Sequence, residues 1–263
     1  MDIIKHLKLH WDSHQDDIFI IDSFSGLSHT YGDIRTKSMK LSQLLKSKGI
    51  RKGDRIAILM SNCIDFAQLY MAAMYMGCVA VPINPQLGVE LAKYVIADSG
   101  AKLLISDSKM EYAAELAGDI KTIFFDTITE LSLFDADAPF QDVLETDELI
   151  VVYTSGTTSN PKGVVHTYRS LFSNGIEFTK AMGIGGESRF INILPMAYLG
   201  GYYNLLLIPF IAGGSVVLCH AFQAADVLSF WQPIVKHGVN TLWLVPTIIA
   251  MLMEFDRGSD GVE

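Results

Sequence analysis

The sequence is poor in positive charge. Its 263 residues include 20 Lys and Arg against 29 Asp and Glu, which gives a formal net charge of −9. Affinity for nucleic-acid phosphates comes chiefly from Lys and Arg, so the composition argues against a nucleic-acid partner. A small anion is still compatible with it, because a few backbone N–H groups and one Lys can hold a phosphate on an acidic protein.

Cysteine is equally scarce. Cys63, Cys78 and Cys219 are far apart and each lies in an apolar run, which favours buried, reduced thiols over a disulfide or a metal site. No metal ligands are therefore assigned. The first residues, 1–17, carry His, Asp and Lys and no apolar stretch of the kind found in secretory signals, so we predict a cytoplasmic protein.

Charge is absent altogether from one long stretch, residues 198–219. These 22 residues could cross a bilayer by length. However, Pro209 interrupts the stretch, and Gly213 and Gly214 precede a strand-like run at 215–219. We predict a buried helix, a turn and a core strand, with a membrane span as the weaker alternative.

Apolar residues are plentiful, at 50% of the chain, and they fall in helix-like and strand-like segments that alternate. Helices are predicted at about 31–48, 63–76, 89–97, 168–182, up to 212, 224–237 and 247–255, and strands at 55–59, 78–82, 102–106, 121–125, 149–153, 190–194, 215–219 and 241–245. Short apolar strands separated by helices are typical of parallel sheets. The predicted fold class is therefore α/β, with mostly parallel sheets covered by helices on both faces.

The acidic, irregular segment 127–148 is a candidate connector. It divides one partial domain, 1–263, into approximate subregions 1–126 and 149–255. The polar tail after residue 255 lacks a closing element, so we expect the chain to be truncated.

The segment TSGTTSNPKG, residues 154–163, lies between two apolar runs. Its small hydroxyl residues and glycine offer many donors with little steric cover, which suits phosphate oxygens, and Lys162 adds a cation. The ordinary G-x-x-x-x-G-K-[ST] loop does not fit, because Pro161 stands at the second glycine and Gly163 follows the lysine. A functionless turn needs fewer hydroxyl residues than this, so a phosphate loop is favoured.

This segment resembles the T-S-G-T-T-G-x-P-K-G signature of the adenylate-forming (AMP-binding) superfamily of acyl-CoA synthetases, peptide-synthetase adenylation domains and luciferases. Ser159 stands where glycine is usual, and at a position with positive φ it would cost about 1 kcal/mol. Further matches are TYGD at 30–33, GDRIAI at 53–58, GCVAVPINP at 77–85, LPMAYLGG at 194–201, GG at 213–214 and VPT at 245–247. The resemblance implies the N-terminal large domain of an acyl-CoA-synthetase-like enzyme.

The resemblance also implies a reaction. A small carboxylic acid attacks the α-phosphate of ATP, and the acyl-adenylate then passes its acyl group to coenzyme A or to a carrier protein's phosphopantetheine. Mg²⁺, Lys and N–H donors would neutralise the meeting anions. The ATP phosphates would be bound by Thr154, Ser155, Gly156, Thr157, Thr158, Lys162 and Gly163.

Tyr198 occupies the position where the family most often has His, an aromatic gate beside the carboxylate pocket. Tyrosine keeps the ring and a hydrogen-bond donor but cannot become cationic near neutral pH. A core tyrosine at a helix start is the alternative interpretation.

Several family motifs are not found before Glu263: the Y-G-x-T-E segment with the Mg²⁺-associated Glu, the T-G-D segment, the hinge, and the C-terminal domain with its lysine. Catalytic residues are therefore unassigned, and we expect this chain to be incomplete for catalysis. The alternative function is a non-catalytic homologue that acts as a binding or assembly module. Unpaired sheet edges could also favour a homo-oligomer.

Overall fold

The computed structural model describes residues 3–136, 142–154 and 160–255, which form two β-sheets with helices between and around them. The strands are β1 (Ile18–Asp22), β2 (Ser28–Thr30), β3 (Arg55–Leu59), β4 (Val79–Ile83), β5 (Leu103–Ser106), β6 (Thr122–Phe124), β7 (Glu148–Thr154), β8 (Lys162–Thr167), β9 (Arg189–Asn192) and β10 (Ser215–Leu218). The α-helices are α1 (Ile3–Ser13), α2 (Tyr31–Ser47), α3 (Ile64–Met76), α4 (Val89–Ser99), α5 (Ala113–Leu116), α6 (Tyr168–Met182), α7 (Ile208–Ala212), α8 (Trp231–His237) and α9 (Pro246–Phe255). A π-helix spans Gly200–Leu207.

The larger sheet has the strand order β6-β5-β3-β4-β7-β8, and the smaller has the order β2-β1-β10-β9. Neighbouring strands are parallel except for two antiparallel pairs, β7 with β8 and β1 with β2. The predicted fold class is confirmed.

Both faces of the central strands of the larger sheet are buried. In β3, Ile56 and Ile58 join the core that lies between the two sheets, whereas Ala57 and Leu59 join a separate core on the outer face. The inner core also contains Val216 from the smaller sheet and residues of α2, α3 and α6. A layer of helices therefore separates the sheets, which explains why the central strands are apolar at consecutive positions.

Helix ends follow from local chemistry. The Thr30 hydroxyl accepts the Asp33 N–H, and the Asp33 carboxylate accepts the Thr30 N–H, so a reciprocal cap begins α2. Thr167 and Ser170 form the equivalent cap of α6. That helix ends at Gly183, whose φ of 64° is left-handed. These signals account for the accurate prediction of α6.

The connector does not separate the two sheets. Strands β1 and β2 lie in one sheet with β9 and β10, while β7 and β8 join β3–β6. Two 3₁₀ turns, Phe125–Thr127 and Glu130–Leu133, occupy part of the connector, and its residues 137–141 lie outside the described residues. The proposed subregions remain a prediction, but their boundary does not coincide with a boundary between sheets.

Two predicted elements are wrong in form. The strand predicted at 241–245 is reduced to one bridge, between Thr241 and Phe190. The side chain of Asn240, rather than a backbone carbonyl, accepts the Arg189 N–H of β9, at 2.7 Å. Helix α9 begins soon after, at Pro246.

The helix predicted at 224–237 is split into a 3₁₀ segment, Ala224–Ser229, and α8. Pro233 lacks an N–H and is best tolerated in a first helical turn, which is where the split places it.

The uncharged stretch at 198–219 forms the π-helix, α7 and β10, which confirms the buried helix, turn and strand. No helix among the described residues is both long enough and apolar enough to traverse a bilayer. Helices α1 and α5 and strands β1 and β2 were not predicted from the sequence.

Candidate functional site

The β7–β8 hairpin carries the predicted phosphate loop. The two strands are antiparallel, and Thr154 and Lys162 are directly opposed as the last pair before the loop. Loop residues 155–159, which include Ser155, Gly156, Thr157 and Thr158 and the unusual Ser159, lie outside the described residues. Because Lys162 begins a strand rather than a helix, the local fold differs from that of the G-x-x-x-x-G-K-[ST] motif.

Lys162 presents an available cation at the base of this loop. Its side chain is exposed, and its amine makes no hydrogen bond or ion pair with any residue in the described ranges. Thr154, its cross-strand neighbour, is also exposed. An unpaired ammonium group beside a hydroxyl suits a phosphate anion.

Gly163 has a packing role that the sequence did not reveal. A Cβ atom at this position would lie 3.0 Å from Cζ of Tyr153 and from Cγ1 of Val151. The Tyr153 hydroxyl donates to Oδ2 of Asp98, at the end of α4, at 2.6 Å. The absence of a side chain on Gly163 therefore leaves room for the Tyr153 ring to pack against β8. The hydroxyl of this ring connects the end of β7 with α4.

Tyr198 lies at the same edge of the larger sheet. Ala80 of β4 pairs with Ile150 of β7 in parallel register. Four residues further along each strand are Asn84 and Thr154, so both lie at the carboxyl edge, where open α/β sheets bind their ligands. The Asn84 side chain donates to the Tyr198 hydroxyl at 2.9 Å. Tyr198 is 37% exposed, so it is not a core tyrosine.

The segment that leads to Tyr198 is held by Asn62, a buried residue just after β3. Its amide nitrogen donates to the Leu194 carbonyl at 2.8 Å and to the Cys219 carbonyl at 3.3 Å. Its amide oxygen accepts the Met196 N–H at 2.8 Å. One side chain thus connects the end of β3 with two segments that follow strands of the smaller sheet.

Two more contacts fix this segment. The Tyr70 hydroxyl donates to the Met196 carbonyl at 2.6 Å. The π-helix begins against the segment so closely that a Cβ on Gly201 would lie 2.5 Å from the carbonyl oxygens of Leu194 and Pro195. π-Helical turns are frequent at functional sites. Sequence reasoning found the LPMAYLGG motif but missed Asn62 and Tyr70. The only local signal for Asn62 was a polar residue three positions after a buried strand, and this signal does not indicate its distant partners.

Replacing Asn62 with alanine should expose the Met196 amide to solvent exchange. The N–H loses its acceptor, so its hydrogen exchange should accelerate about tenfold, the equivalent of one hydrogen bond. Mass spectrometry of peptides that cover 193–199 measures this. Ser106→Ala is the control, because it removes a buried hydroxyl that donates to the Leu59 carbonyl at the end of the same strand β3. Unchanged Met196 exchange in Asn62→Ala would contradict the assignment.

The cysteines do not contribute reactive groups to this site. All three are unpaired, and burial raises the pKa of Cys63 and of Cys78 to about 12. Burial and the neighbouring Asp98 carboxylate likewise raise the pKa of Tyr153. No group of three or more His, Cys, Asp or Glu side chains in the described part of the chain could hold a metal ion.

Comparison with known proteins gives consistent matches. A family model described as "AMP-binding enzyme" matches residues 7–261. The sulfoacetate–CoA ligase of Cupriavidus necator is 28% identical over 253 residues, which are 92% of this chain and 49% of that protein. The chain therefore spans about half the length of the curated relatives it matches.

Solved structures match the same region. The inhibitor-bound N-terminal domain of FACL13 from Mycobacterium tuberculosis has a TM-score of 0.86 and 27% identity, over 97% of this chain and 65% of that one. The o-succinylbenzoate CoA synthetase of Bacillus subtilis, in complex with its acyl-adenylate intermediate, has a TM-score of 0.82 and 27% identity. That match covers 95% of this chain and 64% of the synthetase chain.

Proposed function

This chain belongs to the AMP-binding enzyme family, and from that premise we propose that it supplies the phosphate-binding part of an enzyme that activates a carboxylic acid with ATP. The observation that supports the proposal is the exposed Lys162 ammonium, which has no partner among the described residues and lies opposite Thr154 at the base of the hairpin loop. Both lie at the carboxyl edge of the larger sheet.

The chemistry needs such a group because two anions must meet. A carboxylate oxygen forms a bond to the α-phosphorus of ATP, the bond from that phosphorus to the bridging oxygen breaks, and pyrophosphate leaves with the electron pair. Lys162 would neutralise the β- and γ-phosphates and the departing pyrophosphate. Loop donors from Ser155, Gly156, Thr157 and Thr158 would complete this binding site. Mg²⁺ would enter on the ATP phosphates, since the described residues provide no metal cluster of their own.

The relatives support a proposal for the thiol acceptor. The matched proteins named above include a sulfoacetate–CoA ligase and an o-succinylbenzoate CoA synthetase. We accordingly propose coenzyme A as the acceptor, with a carrier-protein phosphopantetheine as the second candidate, and a cytoplasmic location. Tyr198 would form one wall of the acid site.

A pyrophosphate-release screen tests the proposal. The full-length protein with MgATP is given a panel of aliphatic, aromatic and sulfonated carboxylic acids, with and without coenzyme A. We expect release that depends on one acid class, and thioester formation when coenzyme A is present. Reactions without acid are the control, since they measure background ATP hydrolysis.

The outcome also separates the two candidate functions. A folded protein that binds MgATP but releases no pyrophosphate with any acid would contradict acid activation. It would favour the alternative, a non-catalytic homologue that serves as a binding or assembly module.

A further inference from the structure

The side-chain amide of Asn84 has a fixed orientation. Asn84 caps the 3₁₀ turn Pro85–Leu87, and its Oδ1 accepts the backbone N–H of Gln86 at 3.1 Å. A backbone N–H can only donate, so the atom that faces it must be the amide oxygen. The NH₂ group therefore faces the Tyr198 hydroxyl, 2.9 Å away.

This orientation determines whether the Tyr198 hydroxyl donates or accepts in its hydrogen bond with Asn84. An amide NH₂ group donates hydrogen bonds and does not accept them, so the phenolic oxygen must be the acceptor in this pair. The phenolic proton is consequently directed away from Asn84. Accepting one hydrogen bond also polarises the hydroxyl and strengthens it as a donor to a second partner.

The surroundings allow a ligand to be that second partner, and an anion would accept the hydrogen bond most strongly. Tyr198 is 37% exposed and lies at the carboxyl edge that also carries Thr154. Its backbone is fixed, because the Tyr198 N–H donates to the Pro195 carbonyl at 3.1 Å. The Asn84 backbone is anchored by the Tyr112 hydroxyl, which donates to the adjoining Pro85 carbonyl at 3.0 Å. A neutral amide behind an oriented O–H group presents a donor without adding a negative charge.

We propose that Asn84 is a positioning residue that orients the Tyr198 hydroxyl as a hydrogen-bond donor to the carboxylate of the substrate acid. This role rests on the proposed function. It assigns specificity for the ionised acid, over neutral analogues of the same shape, to the Asn84–Tyr198 pair. An oriented Tyr198 hydroxyl would thus bind the carboxylate by a hydrogen bond, whereas a cationic side chain at this position would bind it by charge.

Asn84→Asp reverses the direction of the hydrogen bond with Tyr198 and changes the shape of the side chain little. The aspartate still accepts the Gln86 N–H, so the 3₁₀ turn keeps its cap. Its other oxygen accepts a hydrogen bond from the Tyr198 hydroxyl, and the carboxylate places a negative charge next to that hydroxyl. We expect the KM for the acid to rise about tenfold or more, because a hydrogen bond to a charged group is lost. The KM for MgATP should change less than about twofold. Asn84→Ala should be milder, since Tyr198 keeps a free hydroxyl.

Inhibition constants separate this effect from damage to the fold. The probes are the panel acid that gives the highest turnover, a non-reactive analogue that keeps its carboxylate, and its primary amide. In Asn84→Asp the preference for the carboxylate analogue over the amide should fall about tenfold, whereas a folding defect would weaken both alike. Asn240→Asp is the matched control, because Asn240 also accepts a backbone N–H, that of Arg189, and donates to a carbonyl, that of Glu187.

The results distinguish the two proposals. An active wild-type protein whose Asn84→Asp variant keeps both the acid KM and the carboxylate preference would overturn the role of Asn84 alone. An Asn84→Ala variant that is impaired more than Asn84→Asp would do the same. A wild-type protein without acid-dependent pyrophosphate release would overturn the proposed function and, with it, this role.

Discussion

Replacing Lys162 with alanine should lower acid-dependent pyrophosphate release about a hundredfold or more, the usual effect of removing a group that stabilises transition-state charge. Lys162 lies at the base of the proposed phosphate loop, and no described residue neutralises its charge. Stability should change by less than about 0.5 kcal/mol, because the side chain is exposed and unpaired among the described residues. Steady-state pyrophosphate release and urea unfolding measure the two quantities.

Two further variants make the Lys162 test specific. Lys162→Arg keeps the charge but changes its geometry, so it should retain more activity than the alanine variant. Lys236→Ala removes another exposed lysine, on α8, and should leave turnover unchanged. Equal activity in Lys162→Ala and wild-type protein would exclude the lysine from the reaction. Equal losses in Lys162→Ala and Lys236→Ala would point to a general effect of charge.

The fold was predictable where local sequence and tertiary environment agree. Strand β3 was predicted at 55–59 and is found there, because a strand buried on both faces is apolar at consecutive positions. Helix α6 has both a cap at Thr167 and a terminating Gly183. The 241–245 segment has strand-like composition, but only Thr241 finds a partner. A partner strand depends on topology, which local composition does not encode.

The residues of the candidate site also differ in how far the sequence predicts them. Thr154 and Lys162 were predictable because seven loop residues separate them and the motif is contiguous. Asn62 and Asn84 were not, since their contacts with Leu194 and Tyr198 span 132 and 114 residues. The π form of Gly200–Leu207 was also missed, because apolar periodicity does not distinguish helix types over eight residues.

Gly201→Ala should destabilise the protein by about 3 kcal/mol, toward the upper end of the usual range for overpacking. A Cβ there would lie 2.5 Å from two carbonyl oxygens, those of Leu194 and Pro195. Neither carbonyl can retreat easily, because the Asn62 side chain binds the Leu194 carbonyl and the Met196 N–H, which belongs to the same peptide group as the Pro195 carbonyl. The variant should also weaken binding of the acid, since the displaced segment carries Tyr198. Urea unfolding and the KM for the acid measure these effects.

The adjacent glycine is the matched control for this test. A Cβ on Gly200 would lie 3.0 Å from Cδ1 of Leu194, the flexible end of a side chain rather than the backbone. Both glycines lie in the π-helix, so alanine changes helix propensity similarly at each. Gly200→Ala should therefore cost less than about 1 kcal/mol. The two variants could instead unfold at the same urea concentration. In that case the close contact between Gly201 and the 194–195 backbone would not explain the glycine at 201, and the rigidity assigned to the Tyr198 segment would be wrong.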